Sequence, residues 1–375
     1  MFNKYSLAAA VSALFVSPLA LAQSSVTLYG VADAGVSVVS RGDYTNVTSG
    51  TPAVTTRQSL GNAFQVHSGV QSASRFGVRG VEDLGGGFKA IFTAEAAWNV
   101  DDGTGSANNA LNFQRRSVVG LGGTSWGQVL LGRDYTPAFY AGQATDVMSY
   151  GLYGTSYAFQ QIGGYTNRAS NAIHYTSPSW GGLVLRASYG TGESYVSPKS
   201  LGNLAGISVV YGGGPFTASA YFQNLKVATV PASTNTDNQQ QFGIGGGYNF
   251  GVGRVLAGFG RSKNARADSN FDMYNVGLGF RIGAGELLAS YMHVKAESGR
   301  NGSFGGTSGQ EGTAKIYGIA YSYPLSKRTN VYATFGQTSN DSAAAFGLYT
   351  NGTAITAGAP GQRPRGVGFG VRHSF

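Results

Sequence analysis

The chain has 375 residues, 42% of them hydrophobic and only 11% charged, against roughly 25% charged in ordinary soluble domains. Its 59 Gly, 22 Tyr and 21 Phe favour tight turns and strands, and the absence of Cys excludes disulfide frameworks, thiolate metal sites and Cys nucleophiles. The formal charge is +9, yet there is no clustered Lys/Arg tract of the kind that binds nucleic acid.

In chain order, the first element is a leader. Lys4 gives a positive start, Leu7–Leu21 is apolar and uncharged, and Ala20-Leu21-Ala22 places small residues at the −3 and −1 positions of a cleavage site. The apolar run is shorter than the ~20 residues a spanning helix needs. Residues 1–22 are therefore expected to be a secretory signal peptide, and 23–375 the mature chain. Removing Lys4 lowers the net charge by one. No later run of 18 apolar residues occurs, so no helix is expected to cross a bilayer.

Beyond the leader the recurring pattern has period two. In Gln241–Phe250, Phe242, Ile244, Tyr248 and Phe250 share one face, and Gln241, Gly243, Gly245, Gly247 and Asn249 share the other. Tyr274, Val276, Leu278 and Phe280 alternate with Asn275, Gly277, Gly279 and Arg281. Val367, Phe369, Val371 and Phe375 alternate with Gly, Arg372 and Ser374. These are strands with one apolar face and one polar or small face, a pattern that a soluble sandwich would share.

The connections separate the two possibilities. Seven short Gly-rich turns lie at Asp83–Gly87, Gly122–Gly127, Ser177–Gly182, Gly212–Pro215, Gly251–Gly253, Ile282–Gly285 and Pro324–Thr329. Eight long polar stretches alternate with them, near Arg41–Gly69, Val100–Ala110, Tyr135–Asn167, Gly190–Asn203, Lys226–Gln240, Ser262–Asp272, Ala296–Thr313 and Ser339–Arg363. Together they join 16 strands at about 22 residues each, as in outer-membrane barrels with short periplasmic turns and long outer loops. The expectation is an all-β, 16-stranded antiparallel transmembrane β-barrel, closed because an open sheet edge is not tolerated in hydrocarbon. A barrel of that size leaves an aqueous channel. Its polar faces should line water, and aromatics near strand ends, such as Tyr29, Phe250, Tyr323 and Phe375, should fall in the interfacial girdles.

Ser25–Val36, Ser74–Gly80 followed by Glu82–Gly85, Leu131–Arg133, Ser177–Gly182 and Gly366–Phe375 carry a resemblance spread over the whole mature chain. In order and spacing the sequence resembles the general diffusion porins of Gram-negative outer membranes, in particular the β-proteobacterial type. That resemblance implies a homotrimer of 16-stranded barrels in outer-membrane lipid, passing small hydrophilic solutes and ions passively, with no cofactor and no metal. It also implies an inward-folded third outer loop that narrows each pore. The terminal Phe375 resembles the signal read by the outer-membrane assembly machinery.

The third loop would run from Asp134 to about Asn167, with Asp134 and Asp146 its only acids. A loop of roughly 30 residues is uncommon unless functional. In the family, wall arginines face loop acids across a constriction. The resemblance assigns Arg75, Arg115 and Arg168 to the wall, Asp146 to one acid position and Tyr150 to the other. Parity puts Arg75 and Arg79 on one face with Gly77, and Arg168 on one face with Ala172 and His174. Adjacent Arg115 and Arg116 should point oppositely, and parity leaves open which faces the lumen. Arg79, Arg116, Asp134, His174 and Arg186 are further pore-lining candidates. Several arginines facing one acid in a narrow, low-dielectric gap concentrate anions without tight binding, which implies anion preference.

Other functions find less support. Gly123–Gly127 fits G-x-S-x-G, but a nucleophile elbow needs a strand–turn–helix, and here the motif joins two expected strands. The four histidines, His67, His174, His293 and His373, are too scattered for a metal or triad motif. A substrate-specific outer-membrane channel is the alternative reading, followed by a barrel enzyme or an adhesin.

Overall fold

The period-two segments close into a barrel in the computed structural model, which describes residues 25–42, 44–48, 54–58, 61–105, 111–162, 166–192, 200–228, 236–264, 269–297, 310–350 and 354–375. The expected signal peptide lies outside the described residues. The wall begins with β1 (Ser25–Ser40). β2 comes in two pieces, Ala63–Ser68 and Arg75–Gly85, which pair with the two halves of β1 and so fill one wall position. There follow β3 (Phe88–Ala97), β4 (Arg116–Gly123), β5 (Gly127–Tyr135), β6 (Arg168–Thr176), β7 (Leu183–Gly190) and β8 (Leu204–Gly213). Next come β9 (Phe216–Ala228), β10 (Thr236–Asn249), β11 (Gly253–Asn264), β12 (Ser269–Ile282) and β13 (Gly285–Ala296). β14 (Gly312–Pro324), β15 (Thr329–Asn340) and β16 (Arg365–Ser374) complete the wall. Each strand pairs antiparallel with its sequence neighbours, and β16 pairs with β1 from Val31–Ser374 to Ser40–Arg365, which closes the sheet. Sixteen wall positions result, joined by seven short and eight long connections; the first long stretch, marked in the sequence from Arg41 to Gly69, gives Ala63–Ser68 to the wall instead.

The side-chain alternation sorts inside from outside. Ile244 is 60% exposed and Phe369 57%, while Gln241 on the opposite face is fully buried. The outward face is apolar because hydrocarbon is the solvent there, and Phe250, Tyr323 and Phe375 stand exposed near the short-turn end. Tyr29 departs from the expected girdle. It lies on the inward row of β1 with Val31 and Asp33, and its hydroxyl donates to Glu95 Oε2 at 3.0 Å.

The inward face is not uniformly wet either. Toward the loop ends of β12–β14, Phe271, Met273, Met292, Val294, Ala314 and Ile316 are buried and form an apolar cluster inside the barrel. What covers them is the third loop, with Tyr153, Ala158 and Phe159, and the last loop, with Phe346, Leu348 and Ile355. A second cluster joins Val147, Met148 and Leu152 of the third loop to Leu256, Leu288, Ala320 and Tyr332 of the wall. Burial of this apolar surface holds the loop inside the barrel.

The third loop contains two short helices, α1 (Pro137–Ala144) and α2 (Tyr157–Ile162). Pro137 starts α1, where its missing N–H costs nothing. Between the helices the chain lies flush against the wall, because the wall residues beneath it lack side chains. A Cβ on Gly277 of β12 would sit 2.4 Å from Val147 Cγ1, and one on Gly336 of β15 would sit 2.5 Å from Tyr153 Cβ. On Gly318 of β14 it would meet the Tyr153 carbonyl oxygen at 2.3 Å. Between these strands, Ser290 of β13 donates from Oγ to the Gly154 carbonyl at 2.8 Å. The loop thus rests in a glycine-lined seat on the β10–β16 side of the barrel.

Candidate pore constriction

The charged residues stand on the other side of the lumen, on β2–β6. Gly69, at φ 81°, opens the break in β2, and Asp33 of β1 secures the crossing, accepting the Ser72 N–H at 2.7 Å and the Tyr332 hydroxyl at 2.6 Å. The second piece of β2 then begins at Arg75. On β3, Glu95 shares the inward row with Thr93 and Ala97 and is 5% exposed. It accepts from Arg115 Nε at 2.7 Å and lies 3.8 Å from Arg75 Nε. Charge-assisted contacts of this kind fix the planar guanidinium groups in orientation.

Arg115 also donates from Nη2 to the Tyr135 hydroxyl at 2.5 Å, and Arg168 donates to the same oxygen at 2.8 Å while lying 4.3 Å from the centre of that ring. Arg168 therefore meets a neutral hydroxyl rather than a carboxylate. Three guanidinium groups, those of Arg75, Arg115 and Arg168, gather around one acid and one tyrosine. Beside them Arg116 makes a bidentate pair with Asp134, at 2.8 and 2.7 Å. Arg186 stacks over Tyr140 at 4.5 Å, Arg79 over Tyr29 at 5.2 Å, and buried His174 hydrogen-bonds Ser188 through Nδ1 at 2.8 Å.

Two parity readings change. Arg115 and Arg116 both reach the lumen side, because β4 begins only at Arg116 and Arg115 is free of its alternation. In β6 a bulge shifts the register against β5, with Asn171 at φ 52°. Ala169, rather than Arg168, therefore continues the inward row of Ala172, packed with Leu204. Arg168 joins the arginines through Tyr135.

The loop side differs from expectation in both residues. Asp146 is 4% exposed, and its carboxylate is turned into the loop. It accepts the N–H groups of Met148, Tyr150 and Ser156 at 2.9, 3.2 and 3.0 Å, and the Thr155 hydroxyl at 2.5 Å. Burial pushes its carboxyl above the usual carboxylate range, against the pull of those hydrogen bonds. Tyr150, 2% exposed at φ 60°, packs its ring 5.2 Å from Phe139 and 5.3 Å from Tyr157. Both residues brace the loop from within. The acid that Arg75 and Arg115 share is Glu95, which the sequence reading passed over. Its signal was its place on the Thr93–Ala97 row of an otherwise apolar segment.

Gly123–Gly127 forms the turn between β4 and β5, with no helix after it. Among the described residues no cluster of His, Asp and Glu could hold a metal ion.

A family profile described as Gram-negative porin matches residues 7–343. Outer membrane porin protein 32 of Delftia acidovorans is 32% identical over 386 residues, covering 98% of each chain. The anion-selective porin from Comamonas acidovorans superposes with a TM-score of 0.77 at 28% identity, over 94% of this chain and all of that one. The trimer form of OmpT from Vibrio cholerae shares the fold, with a TM-score of 0.65 at 15% identity over 94% of this chain and 99% of that one.

Proposed function

The chain belongs to the Gram-negative porin family, and from that premise we propose that its outer-membrane channel prefers anions, with the preference set by Arg75, Arg115 and Arg168. A porin is a passive diffusion channel rather than an enzyme, so selectivity has to come from the field across the narrowest gap. The observation that carries the proposal is the charge balance: Arg75 and Arg115 share the carboxylate of Glu95, Arg168 joins them through the Tyr135 hydroxyl without a carboxylate of its own, Arg116 is matched by Asp134, and Asp146 of the loop is turned away. Water-filled constrictions in low-dielectric walls amplify such an imbalance. The similarity to a porin described as anion-selective supports the same reading.

In a potassium chloride gradient across a planar bilayer, the reversal potential should show chloride preference. It should shrink from 0.1 M to 1 M salt as the screening length falls from ~10 Å to ~3 Å. Arg75→Glu and Arg168→Glu should each move the potential toward potassium. Potassium preference in the wild type, or unchanged potentials in both variants, would overturn the assignment. The same reading includes cleavage after Ala22, checked by a mature N-terminus at Gln23, and assembly as a homotrimer with Phe375 as its insertion signal.

A further inference from the structure

A second concentration of positive charge lies away from the constriction, at the short-turn mouth of the barrel. Arg254 opens β11 on the inward row of Leu256, Arg281 ends the inward row of β12 after Gly277 and Gly279, and Arg372 lies on the inward row of β16. The Pro324–Thr329 turn adds Lys327 and Arg328, both exposed. These five side chains line one cavity of about 430 Å³ together with Glu286, Ser322 and Asn330. Glu286 is the only acid lining it, and its Oε2 lies 3.3 Å from Arg254 Nη2. Arg254 Nε is buried with no hydrogen-bond partner. Arg372 donates from Nε to Ser72 Oγ at 2.9 Å, which ties the cavity to the break in β2 just before Arg75.

Five cations converging on one acid repel one another unless an anion joins them. Chloride brings one charge and no fixed pair of acceptor oxygens, whereas adjacent phosphoryl groups bring several charges and present oxygens to which arginines bind in bidentate fashion. We propose that this mouth is a separate anion station that takes oligoanions of the pyrophosphate class. An oligoanion seated there occupies the path of smaller anions, so the station acts as a one-sided block. The proposal deepens the anion-channel reading, but it concerns residues at the short-turn mouth rather than those of the constriction.

The test uses the purified full-length channel in a planar bilayer with pyrophosphate added to one side at a time in 0.1 M potassium chloride. The expected result is a reduced current from one side only, with the half-blocking concentration raised at least tenfold by 1 M salt. Combined Arg281→Gln and Arg328→Gln should also raise it tenfold or more while leaving the chloride reversal potential unchanged, since neither residue belongs to the constriction. If that pair fails to insert, Lys327→Gln on the exposed turn should raise it at least threefold. Absence of block, equal block from both sides, or block unchanged in the variants and in salt would overturn the station. A reversal potential favouring potassium, with one-sided block intact, would instead overturn the constriction reading and leave the station standing.

Discussion

Glu95 governs the constriction because it is the one carboxylate that Arg75 and Arg115 share. Arg115 is nearly enclosed, with its side chain 7% exposed, and breaking a buried ion pair typically costs about 3–5 kcal/mol. Glu95→Gln keeps the shape, the Tyr29 hydroxyl contact and one acceptor for Arg115, but removes the negative charge. Chloride preference should therefore rise, seen as a larger reversal potential at 0.1 M salt, while thermal stability falls. Asp146→Asn tests the opposite role. It places an NH₂ among donors that now converge on a carboxylate, so the loop should loosen and the channel should become noisier and less heat-resistant, with little change in selectivity. A selectivity shift from Asp146→Asn as large as that from Glu95→Gln would restore Asp146 to the lumen.

At the scale of elements, the seat of the third loop sets the bore. Gly318→Ala would drive a methyl group against the Tyr153 carbonyl, where backbone has to yield, and overpacking of this kind costs roughly 1–3 kcal/mol. The loop should lift toward the arginines, so single-channel conductance should fall while the reversal potential holds, because no charge moves. Gly246→Ala on the outward face of β10, where the nearest atom is the Thr217 carbonyl oxygen at 3.5 Å, serves as the control and should conduct like the wild type. Equal conductance in all three proteins would remove the seat from the account of pore size.

The strands themselves were legible in the sequence, since Phe242 and Ile244 against Gln241 and Gly243 can satisfy only a period of two. The existence of the third loop was legible from its length. Its inward detail was not, for three reasons. Ser149 and Tyr150 adopt positive φ and turn the loop back on itself, which no side-chain pattern announces. Gly277, Gly318 and Gly336 look like any small-face residues of a strand until the loop lies on them. Arg168 lost its parity to a bulge at Asn171, a single residue with no compositional mark. The sequence reading of Arg75, by contrast, needed only its alternation with Phe76 and Gly77, which the second piece of β2 preserves from Arg75 to Asp83.

At the scale of the whole molecule, everything depends on joining the two ends of the chain. The seam between β1 and β16 ends at Phe375, whose N–H and carbonyl both pair with Gly30, at 3.1 and 3.0 Å. Its ring lies where a Cβ on Gly30 would be, within 2.3 Å of that position, so the aromatic group covers the last rung on the outward face. An unpaired edge cannot persist in hydrocarbon, where each exposed N–H or C=O costs several kcal/mol. Deleting Phe375 should therefore act before the pore exists: two hydrogen bonds and an interfacial ring are lost at the seam, while no lumen residue is touched. The level of heat-resistant trimer in outer-membrane fractions should fall severalfold on native gels or native mass spectrometry, and the channels that do insert should keep wild-type conductance and selectivity. Full trimer levels in the deletion would show that the seam closes without Phe375. A predominantly monomeric wild type in mild detergent would separately overturn the homotrimer.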